Sequence, residues 1–289
     1  MATFIENNQG SNTGWLYYKK YYNLNSGERT TINGVNNLIC NTALLEIPAL
    51  ISNSDFKFPV VTTYPGLVIG TGYTHELKDD EDAFKIGFFF DHTSGMPIIP
   101  GSSVKGLLRS VFPQRVVIPK KATSDQREKE NWIKKILTEE CDITEEVNID
   151  ELEREIFDGA RKEPDPKNPG QMIIKPVPVY ERDIFFDAVP MEITENNLGH
   201  TKRLLGSDYI TPHKNKDRNH PELDPFSNPN PLKFLKIMPK VKIEFRFKLE
   251  NSVALPALDA ENKRKLFQVI IKTLGIGAKT NVGYGQFEP

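Results

Sequence analysis

Four glycines flank a lysine and a threonine in Leu274-Gly-Ile-Gly-Ala-Lys-Thr-Asn-Val-Gly-Tyr-Gly-Gln-Phe287. Small residues let backbone N–H groups approach an anion closely, Lys279 adds an ammonium group, and Thr280 or Asn281 adds hydrogen bonds. The chemistry this spacing offers is a phosphate cradle. It differs from the nucleotide-binding P-loop, which needs Gly-x-x-x-x-Gly-Lys-Ser/Thr between a strand and the helix after it. The same residues also fit a glycine-rich helix cap and tight turn with a solvated lysine.

A second candidate lies in Pro100-Gly-Ser-Ser-Val-Lys-Gly-Leu-Leu-Arg109. Ser102 and Ser103 place two hydroxyls and free N–H groups at a helix start, an arrangement that suits phosphate oxygens. Lys105 and Arg109, four apart, share one face, the first as a point charge and the second as a fork for phosphate or ribose. A capped amphipathic helix with charges in water explains the same pattern. Gly106 favours the first reading, because glycine inside a helix costs about 0.5–1 kcal/mol unless something approaches its backbone.

Catalytic chemistry has little to stand on. His75, His92, His200, His213 and His220 show no metal-ligand spacing, no Gly-x-Ser-x-Gly turn occurs, and Cys40 has no evident partner. Asp208 with His213 is the one pair able to assist RNA cleavage or bind a metal; otherwise Asp208 caps a turn and His213 packs or contacts RNA. No catalytic residue, metal or cofactor is therefore expected. Cys40 and Cys141 stand far apart without a Cys-x-x-Cys pair, which fits a reducing cytoplasm rather than disulfides or a zinc knuckle. No apolar run approaches the ~18 residues of a membrane span, and Met1–Glu6 lacks a signal peptide's features, so no membrane partner is expected.

The net charge of −2 over 289 residues is unusual for a free-standing nucleic-acid binder. Charge is instead polarised: basic residues crowd 114–135 and acidic ones 139–158. This pattern is either a solvated helical pair or a docking surface for neighbouring subunits.

These residues need elements to hold them. Phe58–Ile69 reads as a strand bent at Pro65-Gly66, and a helix with a serine cap follows from Ser102 or Ser103 to Pro113. Ile184–Val189 is a short strand. Val241, Ile243, Phe245, Phe247 and Leu249 alternate with charged residues, giving a half-buried antiparallel strand. Asp259 caps a helix ended by Gly275 in a left-handed cap, and Gly283–Phe287 is long enough for a last strand. The order is that of an α+β, ferredoxin-like βαββαβ core, an arrangement also used by RNA-recognition folds, within one domain, 1–289. Residues 113–180 read as a helical insertion with a loop at Pro164–Gly170, and 191–231 as a projecting loop or hairpin.

Six stretches in order, Tyr64–Gly72, Pro97–Arg109, Phe185–Pro190, Asp208–His213, Pro231–Phe234 and Leu274–Gly285, resemble the RAMP superfamily of CRISPR proteins. The Asp-x-x-x-Pro-His and Gly-Ile-Gly-Ala-Lys-Thr elements are similar to the sixth-subunit branch of the Cmr (type III-B) effector family. The resemblance implies an RRM-derived fold and a role in antiviral defence. It also implies guide RNA (crRNA) and target RNA as partners, with assembly beside other RAMP subunits of the Cmr effector complex. It places RNA contacts at Ser102, Ser103, Lys105, Arg109, Gly275, Gly277, Ala278, Lys279, Thr280, Asn281 and Tyr284. The first ~37 residues and 113–180 match no family pattern. A non-catalytic RNA scaffold is the expected function; a metal-dependent endoribonuclease using Asp208 and His213, or a purely protein-binding subunit, would have to explain the two phosphate-type loops.

Overall fold

Alternation makes β8 (Val241–Lys248): Val241, Ile243, Phe245 and Phe247 are buried, while Lys242, Glu244 and Lys248 reach the other face. The computed structural model describes residues 12–21, 29–45, 55–72, 82–114, 123–211 and 231–289. β8 is the central strand of the main sheet. β1 (Phe56–Val61) runs antiparallel along one side, with Phe58 opposite Phe245 and Val60 opposite Ile243. Along the other side run β4 (Ile184–Phe185) and β5 (Val189–Ile193), both antiparallel, with a register shift between Pro190 and Glu192.

The far edge of β1 meets the chain's end through one antiparallel bridge, Thr62 to Phe287. Hydrogen bonds from Thr63 N–H to Gln286 O (3.1 Å) and from Glu288 N–H to Val61 O (2.9 Å) flank it. The strand expected over Gly283–Phe287 does not form. Gly283 and Gly285 have φ of 94° and 66°, outside the pleated range, and a 3-10 turn occupies Thr280–Val282. The outcome is a mixed α/β structure whose sheets are antiparallel.

The helices α3 (Gly101–Ser110) and α6 (Ala260–Leu274) cover the apolar face. Phe267 of α6 lies 5.5 Å from Phe247 and 5.7 Å from Phe185, ring centre to ring centre, and Phe58 stacks on Phe245 at 5.5 Å. Each such side chain contributes roughly 1.5–3 kcal/mol on burial. Asp259 caps α6 as the sequence indicates, accepting from Asn262 N–H at 2.7 Å. Lys263 enters the same layer and donates to Asp183 Oδ2 at 2.7 Å, with side-chain exposures of 1% and 2%. The sheet's opposite face is polar and ion-paired, Arg246 and Lys57 both reaching Glu244 and Lys242 reaching Glu192.

Residues 113–180 are not only helical. They hold α4 (Ser124–Cys141) and α5 (Ile149–Glu153), which continues as a π turn through Arg154–Asp158. A hairpin follows, β2 (Ala160–Pro164) against β3 (Met172–Pro176), and the expected loop is its tip. Their charges are partly consumed internally. On α4, Lys129 pairs with Asp125 and Lys134 with Glu130, each four residues apart. Buried Glu155 accepts from Ser252 Oγ (2.8 Å), from Val253 and Ala254 N–H (2.9 and 3.0 Å) and from Arg161 Nε (2.9 Å). Desolvation pushes its carboxyl up, but the Val253, Ala254 and Ser252 donors and the charge of Lys263 hold it below the ordinary value.

The excursion expected over 191–231 is narrower than its turn-rich composition implies. β5 keeps residues up to Ile193 in the main sheet. Leu205–Ile210 form β6, antiparallel to β7 (Leu232–Ile237). Residues 212–230 lie outside the described residues. At the amino end, α1 (Thr13–Trp15) continues as a π turn through Leu16–Lys20, and α2 (Arg29–Cys40) follows. Tyr21 stacks on Phe84 at 5.9 Å and its hydroxyl bonds Asn36 Oδ1 at 2.6 Å, so this segment, too, is part of the core. Among the described residues, no helix is long and apolar enough to cross a membrane.

Candidate nucleic-acid interface

The two motifs singled out in the sequence, some 170 positions apart, line one groove of about 650 Å³. Ser103 and Leu107 of α3 form one wall, Leu274–Ala278 and Thr280 the second, and Ile69–Gly72 the third, with Ile99 between them. The glycine-rich loop sits at the mouth of α6, so its position is inherited from the packing of Phe267 on the sheet.

The loop uses many of its N–H groups to hold itself. Ile276 donates to Gly285 O (2.9 Å), Ala278 to Val68 O (2.8 Å), Gly285 to Gly66 O (2.8 Å) and Tyr284 to Lys279 O (3.2 Å). Among the described residues, the N–H groups of Gly277, Lys279, Thr280 and Asn281 have no acceptor. Of these four residues Gly277 and Thr280 line the groove, while Lys279 and Asn281 flank it, the Lys279 ammonium lying 5.6 Å from the centre of the Phe234 ring. Gly275 does end α6, but with φ 70° and ψ −176° rather than in a left-handed cap; this too is a backbone region reserved for glycine.

On α3 the expectations are partly overturned. Neither Ser102 nor Ser103 caps the helix: it starts at Gly101 after Pro100, and both serines are exposed in its first turn. The Gly101 N–H is already taken by the Asp187 carboxylate at 2.7 Å, so an anion from within the protein occupies part of this terminus. Lys105 and Arg109 do share a face, yet Ser103 and Leu107, on the other side, meet the groove. Lys105 lies 5.9 Å from the Phe185 ring centre, and Arg109 pairs with Asp158 (2.7 Å) and Glu153 (3.5 Å). Arg109 thereby ties α3 to α5. Gly106 has nothing of the protein within 4 Å of where a Cβ would stand, so no internal backbone approach explains it.

Tyr284 is buried rather than offered to a ligand. Its hydroxyl donates to Asp208 Oδ2 at 2.8 Å, and the same oxygen takes Lys236 Nζ at 2.6 Å. Desolvation pushes the Asp208 carboxyl up, but Lys236, Tyr284 and the Tyr209 N–H outweigh it and hold it below the ordinary range. Burial and the adjoining carboxylate raise the Tyr284 phenol in turn. Asp208 is thus a fastener between β6, β7 and the glycine-rich loop. His213, its supposed partner, lies outside the described residues. Among the described residues, no three His, Cys, Asp or Glu side chains gather as a metal site. Asp208→Ala is expected to cost about 2 kcal/mol in a urea titration, because Lys236 is left buried without its acceptor.

Sequence reasoning missed Asp187, Lys236 and the apolar lining at Ile99, Leu107 and Leu274. Asp187 stood inside the quoted Phe185–Pro190 motif, but its acceptor role depends on a contact with residue 101 that no local pattern announces.

Residues 60–288 match the model of the RAMP superfamily. The chain belongs to that superfamily. It is similar to the CRISPR system Cmr subunit Cmr6 of Pyrococcus furiosus, 26% identical over 260 residues, covering 78% of this chain and 65% of the relative's length. This RAMP chain therefore spans slightly under two thirds of that protein. Among solved structures, it aligns with a chain from the cryo-EM structure of the Type III-B Cmr-beta bound to cognate target RNA (TM-score 0.49, 22% identity, 99% of this chain and 84% of that one). It also aligns with the crystal structure of Cmr6 from Pyrococcus furiosus (TM-score 0.38, 20% identity, 80% and 97%).

Proposed function

We propose that this RAMP protein is a non-catalytic RNA-holding subunit of a type III CRISPR effector complex. It holds the 3′ part of a guide RNA and its target beside other RAMP subunits. The observation that carries this reading is the convergence of Ser103, Thr71, Gly275–Ala278 and Thr280 on one groove, with unpartnered N–H groups in the loop and Lys279 at its rim. Donors of this kind bind phosphate without reading sequence, which suits a complex whose specificity comes from base pairing. The likeness to a curated Cmr subunit supports the same assignment. The contact set becomes Ser103, Gly277, Ala278, Lys279, Thr280 and Asn281, with Gly275, Arg109, Tyr284 and Asp208 as positioning residues, while Ser102 and Lys105 share the face of α3 turned away from the groove. In this reading the sheet is a reduced ferredoxin-like core: chain end, β1, β8 and β4–β5 stand side by side, the last core strand being shortened to one bridge.

The absence of catalysis is proposed because Asp208, the one acid the sequence offered for cleavage, is already bound by Lys236 and Tyr284. In complexes assembled with Lys279→Ala, labelled RNA is expected to bind about tenfold more weakly, equally across sequences, with the log–log salt slope reduced by about one. Lys105→Ala should change both much less. Unchanged retention by Lys279→Ala over several salt concentrations would reject the reading. RNA cleavage with divalent metal that disappears in Asp208→Ala would replace it by the nuclease alternative.

A further inference from the structure

Tyr64 is 84% exposed, the most open of the large apolar side chains among the described residues. Its backbone is nevertheless clamped on both sides. Thr63 donates through its N–H and its Oγ1 to Gln286 O, each at 3.1 Å, and Gly66 N–H returns to Thr63 O at 2.8 Å. On the far side, Leu67 N–H bonds Ile237 O at 2.9 Å, and Gly66 O accepts from Gly285 N–H at 2.8 Å. The ring therefore stands on a fixed turn, not on a loose tip. That turn lies against the glycine-rich loop: a Cβ at Gly283 would be 3.5 Å from Pro65 Cδ. The loop's free N–H groups at Lys279, Thr280 and Asn281 are a few residues away along the same segment.

A flat, solvent-open ring beside phosphate donors has a defined complement in nucleic-acid chemistry. Every base offers an apolar π-face, and aromatic side chains use it without regard to sequence. In a duplex both faces of an internal base are covered by its neighbours, so such a ring accepts only a base that has left the stack.

We propose that Tyr64 is a stacking platform for an unpaired nucleobase of the RNA strand whose phosphate rests on the Lys279–Asn281 N–H groups. The proposal rests on the RNA-holding reading above and adds that at least one nucleotide there is not base-paired. Stacking needs the ring and not the hydroxyl, so phenylalanine serves equally.

The full chain is titrated with single-stranded RNA carrying 2-aminopurine and with the matching RNA duplex. Tyr64→Ala is expected to weaken single-strand binding about tenfold, to abolish 2-aminopurine quenching, and to leave duplex binding and the salt slope unchanged. Tyr64→Phe should bind like wild type, and circular dichroism should show all variants folded, since the ring supports nothing. If Tyr64→Ala matches wild type on the single strand while Lys279→Ala weakens it, stacking is refuted and the phosphate reading stands. If neither substitution matters, or wild type binds no RNA, the phosphate reading fails and takes this proposal with it.

Discussion

Lys263→Ala is expected to lower the unfolding free energy by about 3–5 kcal/mol and the melting temperature by roughly 10 °C. Lys263 and Asp183 face each other at α6 almost without access to water, and among the described residues the only other donor to Asp183 is Glu250 N–H at 2.8 Å. Removing the ammonium strands a carboxylate in the core. Burial already pushes the Asp183 carboxyl up, against the pull of Lys263 and of the Glu250 N–H, and the variant loses the stronger of those counterweights. A carboxyl with a raised folded pKa takes its proton more readily in the folded chain. The advantage to folding is complete below the ordinary value of 3.8 and lost as pH rises through the folded one. Thermal melts across pH should therefore show the deficit of Lys263→Ala shrinking on acidification. A double replacement, Lys263→Met with Asp183→Leu, should recover much of the loss, because an apolar pair of similar volume leaves no charge behind. Melts of Lys263→Ala that match wild type at neutral pH would mean the pair is not sealed from solvent.

The second large effect is expected at Gly285. Its φ is 66°, and a Cβ there would stand 1.9 Å from Ile276 O, the residue whose N–H bonds Gly285 O. Alanine must distort the left-handed backbone and break the clasp between the two ends of the loop. Gly285→Ala should cost about 2–4 kcal/mol, read as a lower urea midpoint with an unchanged m-value. Gly106→Ala is the control: nothing crowds that position, so it should be neutral or stabilise by about 0.5–1 kcal/mol. An unaffected Gly285→Ala would show that the loop rearranges freely.

Elements with a strong one-dimensional pattern were legible in the sequence. β8 alternates because one face meets Phe58 and Phe267, and α6 declares itself through Asp259 and its apolar stripe. The hairpin β2–β3 was invisible because both of its faces are largely wet, leaving no period-two signal. β6 was hidden for a related reason: Gly206, Ser207 and Asp208 look like turn formers, and pairing with β7 makes them a strand. The chain end looked like a strand, but two positive φ angles forbid the pleat. At the site, residue types were informative and partners were not. Nothing near Arg109 in sequence indicates that Glu153 and Asp158 will claim it, nor that Tyr284 will turn inward to Asp208.

The groove has walls drawn from residues 69–72, 103–107 and 274–280. Ribosomes emit a polypeptide from its amino end at about 5–20 residues per second. Two walls therefore wait for some 170 further residues of synthesis before the third exists, and until then the chain has no cleft in which to trap a passing transcript.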